Sequence, residues 1–379
     1  MTADKDSQQL LLALARSADS RQIYRLAANI GDWNSLLNLA REHRVLPLLF
    51  SRITEIVTVL PLAVQDQLRA EYDNNMLHNL ASAAELVAVI RDFEQATIPA
   101  MPFKGVVLAA SIYRDLLARP AGDLDLLINA EHLTQATAIL LARGYELKTP
   151  THPDGTPAVA DYYEYHFERQ TDGMILELRW RLELTQPRFR HNLGMDWVWP
   201  RRRTAVVAGV EVPDMSPEIT LLILCMHGSK HAWSRLIWIC DVAQLLHISR
   251  ALDWQAVIRE ARRSGLLRAL ALGALLAHRV VGAALPPDVL RRFEADATAC
   301  TLARHFQENL FSSPGATPSG RMPYNIQLLG RRDQIMFFLS RDFLRPNERD
   351  RAVLPLPKPL HSLYYLVRPF RLFWDRSSR

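Results

Sequence analysis

Apolar positions recur at helical spacing through the first hundred residues, and Leu62–Phe93 is the longest such segment. Leu68, Tyr72, Met76, Leu80, Leu86, Ile90 and Phe93 mark a stripe along it, the pattern of a helix face turned toward a core. Asp32 is placed to cap a shorter helix over Trp33–Glu42, and Pro47 follows it. At Ile98 the pattern changes to short runs. Residues 98–103 read as a strand, 104–113 as a helix that begins at a glycine, 123–128 as a strand, and 130–144 as a helix closed by Gly144. Strands are expected near 161–168 and 173–180, and a hairpin over 204–213 with Gly209 at its turn. From Ser216 the helical period returns, with Ser216 as cap and Pro217 in the first turn. Further helices are expected at 234–249, 253–264, 266–282 and 286–311, and a loop at 312–321. The tail from Asp350 carries prolines with basic and aromatic residues between them. The pattern predicts an α+β chain in three parts. These are an N-terminal helical region at 1–97, an α/β core at 98–215 and a C-terminal helical region with a basic tail at 216–379.

Composition narrows the class. Of 379 residues, 49% are hydrophobic and 22% charged, which excludes a disordered chain and supports a large core that needs no metal or disulfide to hold it. The three cysteines, Cys225, Cys240 and Cys300, form no CxxC pair, so zinc-ribbon and thioredoxin-type chemistry is excluded. Their odd number and wide spacing fit a reducing compartment, and a cytoplasmic location is expected. The first twenty residues hold no apolar run of signal-peptide length. The apolar stretch Ile219–Met226 is too short to span a bilayer, and Gly265–Ala277 is interrupted by Arg268, so no membrane segment is expected. A net charge of +5 permits an anionic substrate without demanding nucleic acid.

The carboxylates carry the chemistry. Asp123-Leu124-Asp125 begins an apolar strand, and alternation points both aspartates to one face, about 6.6 Å apart along the backbone. Such a pair can converge on Mg²⁺, which takes carboxylate and phosphate oxygens. Other acid-x-acid triplets, Asp92/Glu94 and Glu294/Asp296, fall in helical patterns where the two acids do not share a face. In the next strand Glu177 stands between Leu176 and Leu178, on the opposite face from both. A carboxylate in an apolar strand needs a partner. A metal shared with Asp123 and Asp125 would be one; an ion pair with Arg179, on the same face, would be another. Lys104-Gly105, between a strand and a helix, leaves backbone N–H groups and a lysine free to meet an anion, though a plain strand-to-helix turn has the same pattern.

Two further segments stay open. His227 and His231 share a helix face, with Asp241 ten residues on, which suits either metal ligation or a buried polar network. No glutamate follows His227, so this is not a metalloprotease HExxH motif. Trp233 and Trp238 read as core in preference to base-stacking platforms. Arg201-Arg202-Arg203 and the tail arginines Arg368, Arg371, Arg376 and Arg379 suit an anionic partner or, as such runs more often are, a solvated face.

Taken in order, FKGVVLAASIYRDLLARPAGDLDLLI, YHFERQTDGMILELRWRLEL and CMHGSKHAWSRLIWICDVAQLL resemble the uncharacterised bacterial nucleotidyltransferase family within the DNA polymerase beta-like superfamily. The resemblance spans Leu86–Leu246, with a weaker echo at 363–370. It implies a small polymerase-beta-like sheet with helices. It implies that Asp123, Asp125 and Glu177 are catalytic and hold two Mg²⁺ ions. Nucleotide contacts fall to Lys104, Gly105 and Arg119, and to Lys230, His231 and Asp241 on a helix packed over the site. The implied reaction moves an NMP from an NTP, with ATP expected, to a hydroxyl of a small molecule or peptide, releasing pyrophosphate. Lys104-Gly105 stands where the wider superfamily has Gly-Ser, and Arg179 stands where relatives often carry histidine. These departures motivate a second expectation, a catalytically degenerate binding or regulatory module.

Overall fold

The computed structural model describes residues 5–16, 19–150, 163–182, 193–318, 324–330 and 364. The tail arginines, the 363–370 echo apart from Tyr364, and residues 161–162 and 319–321 lie outside the described residues.

The N-terminal part is helical: α1 (Lys5–Ala15), α2 (Ser20–Ala27), α3 (Trp33–Glu42), α4 (Leu46–Ile53) and the 34-residue α5 (Leu62–Gln95). Asp32 caps α3 as the sequence predicts, its side chain accepting from the Asn34 N–H at 3.0 Å. The middle part alternates. It runs β1 (Ala100–Phe103), α6 (Gly105–Leu108), β2 (Leu124–Ile128), α7 (Leu133–Ala142), β3 (Tyr145–Leu147), β4 (Glu164–Arg169), β5 (Met174–Arg179), α8 (Met195–Val198) and the hairpin β6 (Arg202–Val207) and β7 (Val210–Met215). Ala208 and Gly209 both have positive φ, 49° and 79°, which is the backbone a two-residue hairpin turn requires. Helices return with α9 (Pro217–Lys230), α10 (Leu236–Ile248), α11 (Trp254–Arg263), α12 (Leu267–Val281), α13 (Pro287–Glu294), α14 (Ala297–Asn309) and the short α15 (Tyr324–Gln327).

Five strands form one mixed sheet in the order β1-β2-β5-β4-β3. Only β2 and β5 run parallel; the other neighbours are antiparallel. All five residues of β2 are buried. Leu124, Leu126 and Ile128 face a core built with Leu86, Ile90 and Phe93 of α5, Leu140 of α7, and Leu176 and Leu178 of β5. Met101, Phe103 and Leu127 face the other way, into the core that holds Ile223 and Met226 of α9 and most of the C-terminal helices. A sheet covered on both faces explains why β2 is apolar apart from Asp125, the one polar residue in it.

Three expectations need correction. Leu80 is exposed, at 46%, and the buried line of α5 passes through Asn79, which is 0% exposed. The Asn79 amide donates to the carbonyls of Leu116 and Arg119 and accepts from the Ala121 N–H, so a polar side chain takes the core position. The helix expected over 104–113 is α6 followed by a π-helical turn, Ala109–Tyr113, that ends in left-handed Arg114. The helix expected over 286–311 breaks into α13 and α14, because Asp296 caps α14 by accepting from the Ala299 N–H.

Candidate active site

Register brings the three acids together. In the parallel pair Asp125 lies opposite Glu177, and in the antiparallel pairs Phe103 lies opposite Asp125 and His166 opposite Glu177. Asp123 sits one residue before β2, with its side chain on the Asp125 face. Carboxylate oxygens of Asp123, Asp125 and Glu177 all fall within 4.8 Å of one another. Alternation therefore does what the sequence predicts, and strand pairing supplies the third acid from 52 residues further along the chain.

The turn into the site is strained. Lys104 has φ 62° and ψ −152°, a region that side chains rarely occupy and that costs about 1–3 kcal/mol. Its Nζ reaches Asp125 Oδ1 at 3.2 Å. Gly105 follows at φ 44°, and a Cβ there would stand 3.1 Å from the Asp123 carbonyl oxygen. Only glycine allows both the backbone angle and that approach. Lys104 is thus aimed at the acids, with the chain of Asp123 packed against the turn that carries it.

Three carboxylates in so little space oppose each other. Burial and the neighbouring Asp125 push the Glu177 carboxyl up to about 7, and the same two causes raise Asp123. Burial works against the charge of Asp125 too, but Lys104 and Arg179 outweigh it and hold its pKa below the ordinary carboxylate value. Of the two partners open for Glu177, the Arg179 ion pair is present, and the clustering with the aspartates that a shared metal requires is present too. The Arg179 guanidinium reaches Asp125 at 3.3 Å and Glu164 as well. Three hard oxygen donors that repel one another, with one proton held at a raised pKa, fit a divalent cation.

The helix α9 covers this face. Lys104, Arg179, His227, Lys230 and His231 line a cavity of about 30 Å³, room for one water. Lys230 donates to the Tyr163 hydroxyl at 3.1 Å. The His227 and His231 rings lie 4.7 Å apart and both pack on Trp238. Burial, then nearby lysines and arginines, pulls His231 down to about 4; burial and Lys104 pull His227 well below the ordinary value, so both rings are neutral at pH 7. Trp233 is 1% exposed and is core.

Arg119 and Asp241, both expected at the nucleotide, meet each other. The Arg119 guanidinium donates to both Asp241 oxygens at 2.9 and 3.1 Å, and the Tyr113 hydroxyl donates to the same carboxylate at 2.9 Å. This buried pair ties the loop before Asp123 to α10. Arg201 and Arg203 make ion pairs with Glu260 and Asp214, and Arg202 stacks on Trp199, so the run braces its own surroundings. Sequence reasoning missed Glu164 and His166, which pairing with β5 brings into the same row. It also missed Arg44, whose guanidinium lies over Gly122, and Arg235. No local motif marks these four; strand register and helix packing bring them in.

No curated protein matches the chain. Among solved structures, it is similar to an antigenic nucleotidyltransferase-like protein from Paracoccidioides brasiliensis, at 15% identity over 50% of this chain and 91% of that one, with a TM-score of 0.30. No helix among the described residues is long and apolar enough to cross a membrane. Residues 30–282 match the family described as uncharacterised nucleotidyltransferase, and across two thirds of its length, with the carboxylate triad and the Lys104-Gly105 turn inside the match, the chain belongs to that nucleotidyltransferase family.

Proposed function

We propose that the protein is a Mg²⁺-dependent nucleotidyltransferase that moves an NMP from an NTP, ATP by expectation, to a hydroxyl of a small molecule or peptide. The observation that carries the reading is the convergence of Asp123, Asp125 and Glu177 beside the strained Lys104-Gly105 turn. These three carboxylates would hold the metal, which would supply charge neutralisation for the phosphates and an acidified hydroxyl. The rest falls to the chain. Lys104 is positioned to meet phosphate as a point charge, and the backbone turn at Gly105 presents amides beside it. Glu177, ionised when it holds the metal, would set a carboxylate oxygen beside the acceptor hydroxyl and favour its deprotonated form. The neutral rings of His227 and His231 and the ammonium of Lys230 line the small cavity on the far side of Lys104 and Arg179. Positioning and electrostatics would provide most of the rate in such a displacement, because little covalent chemistry is left for the protein.

A second reading has its own observation. Arg179 already bridges Asp125, Glu177 and Glu164, so a guanidinium neutralises the acids that a metal would take. In a degenerate binding module that bridge would persist. The test is binding of non-hydrolysable ATP, GTP, CTP and UTP analogues with and without Mg²⁺, on wild type and Asp125→Asn, with pyrophosphate release as the readout of turnover. Mg²⁺-dependent binding lost in Asp125→Asn, with pyrophosphate release in the wild type, supports the transferase. Nucleotide binding that ignores Mg²⁺ and gives no pyrophosphate supports the module.

A further inference from the structure

Besides α5, whose Asn79 holds the loop before Asp123, an earlier part of the N-terminal helical region reaches the active site. The turn after α3 carries His43 and Arg44 and is pinned to the start of α10. His43 Nδ1 accepts from the Leu236 N–H at 3.1 Å, and the His43 carbonyl accepts from the Ile237 N–H at 3.2 Å. These are the first two residues of α10, and Arg235 is the residue before them. Arg44 takes a left-handed φ of 56°, a conformation non-glycine residues adopt at a cost and keep only where the surroundings enforce it. The result is that its guanidinium lies against Gly122, the residue before Asp123. A Cβ on Gly122 would stand 3.0 Å from Nη2 and 3.3 Å from Nη1 of Arg44.

The charges around Arg44 do not balance. Among the described residues it faces Arg235 and Arg119 as like charges and Asp123 as an opposite one; burial and the two arginines pull its pKa down. Arg119 is already neutralised by Asp241. Among the described residues neither Arg44 nor Arg235 makes an ion pair. Arg235 instead lies over the Trp238 ring, 5.6 Å from its centre, and Trp238 in turn packs on His227 and His231. One guanidinium therefore stands at Gly122, beside Asp123, and the other over Trp238 next to the histidines of α9, near enough for Arg235 to act on the charge of Arg44. Asp123, the acid that acts on Arg44 among the described residues, is also a candidate metal ligand, and a metal bound there would take up its charge. A polyanion beside the metal restores the balance, and guanidinium groups match phosphate oxygens in pairs.

We propose that Arg44 and Arg235 form a two-arginine clamp for the terminal phosphates of the triphosphate, so that the N-terminal helical region contributes directly to substrate binding. This rests on the transferase reading above and assigns it two residues that lie outside the acidic triad. The clamp distinguishes a triphosphate from a monophosphate, because only the former extends past the metal-bound phosphate.

The test is calorimetric titration of the full-length protein in Mg²⁺ with inorganic tripolyphosphate, a non-hydrolysable NTP and the matching NMP. Arg44→Ala and Arg235→Ala should each weaken tripolyphosphate and NTP by about ten- to a hundredfold, the range for a charge-assisted contact, and change NMP affinity by less than about threefold. Arg262→Ala, at an exposed site on α11, removes the same charge and should change none of them. Arg44→Lys keeps the charge, loses the paired geometry, and should fall between wild type and Arg44→Ala. Should Arg44→Ala fail to fold, Arg235→Ala and Arg44→Lys carry the comparison. Equal losses for NMP and NTP, or no loss for either, overturn the clamp while wild-type NTP binding leaves the transferase reading standing. A wild type that binds neither Mg²⁺-NTP nor Mg²⁺-tripolyphosphate overturns both.

Discussion

Asn79 tests whether the loop before Asp123 is held by one buried side chain. It is 0% exposed and sits on α5. Its Nδ2 donates to the carbonyls of Leu116 and of Arg119, the latter at 2.8 Å, and its Oδ1 accepts from the Ala121 N–H at 2.9 Å. Asn75, one turn earlier, adds a bond to the Leu117 carbonyl at 3.0 Å. Asn79→Ala leaves three backbone groups without partners. Each costs about 1–3 kcal/mol if it stays dry. The Leu116 carbonyl belongs to a half-buried residue that water can reach, so the two remaining groups set a total of about 2–6 kcal/mol. The loss should be local first, because the loop can open without unfolding α5. Amide hydrogen exchange at Ala121 should therefore speed up by about 30-fold or more, at tenfold per 1.4 kcal/mol. Mg²⁺ affinity should fall with it, since Asp123 follows that loop. Asn79→Asp keeps the acceptor for Ala121 but sets a carboxylate against two carbonyls, and should be at least as damaging above pH 5. Unchanged exchange at Ala121 together with a stability change under about 0.5 kcal/mol would refute the reasoning.

Further outcomes follow from the same geometry. Because the Glu177 carboxyl titrates near 7 in the folded protein and its ordinary value is 4.5, the metal-free fold binds its proton more tightly than the unfolded chain and loses stability as pH rises between those values; Mg²⁺ affinity, which needs the ionised form, should fall about tenfold per pH unit below 7, and Glu177→Gln should flatten that profile in a titration from pH 5.5 to 8. Asp241→Asn strands the buried Arg119 guanidinium and should destabilise by about 3–5 kcal/mol in chemical denaturation; a loss under about 1 kcal/mol would show that the pair is not the strut described here. Gly228→Ala should cost about 1–3 kcal/mol, measured the same way, because its Cβ would clash with the Trp233 ring and displace the turn that carries Lys230 and His231.

Much of this protein can be read from neighbouring residues alone. Period-two alternation placed Asp123, Asp125 and Glu177 on the faces they occupy, and capping residues such as Asp32 and Ser216 marked helix starts to within a residue. These signals are local: a strand's alternation and a cap's hydrogen bond are written within a few positions. The Asp296 cap was equally local, yet the apolar period running across it concealed the break between α13 and α14. Other features have no local signature. Arg119 finds Asp241 across 122 positions, Asn79 closes a loop about 40 residues away, and Arg44 reaches Gly122 from a different part of the chain. An arginine or asparagine looks the same in sequence whether it meets water or a buried carboxylate. Its role depends on which distant group burial leaves in need of a partner, and that depends on how sheet, α5 and α10 pack together. Local hydrogen bonding and side-chain periodicity thus determine the elements and the acidic triad's face, while desolvation within the packed fold selects the cations and amides that surround it.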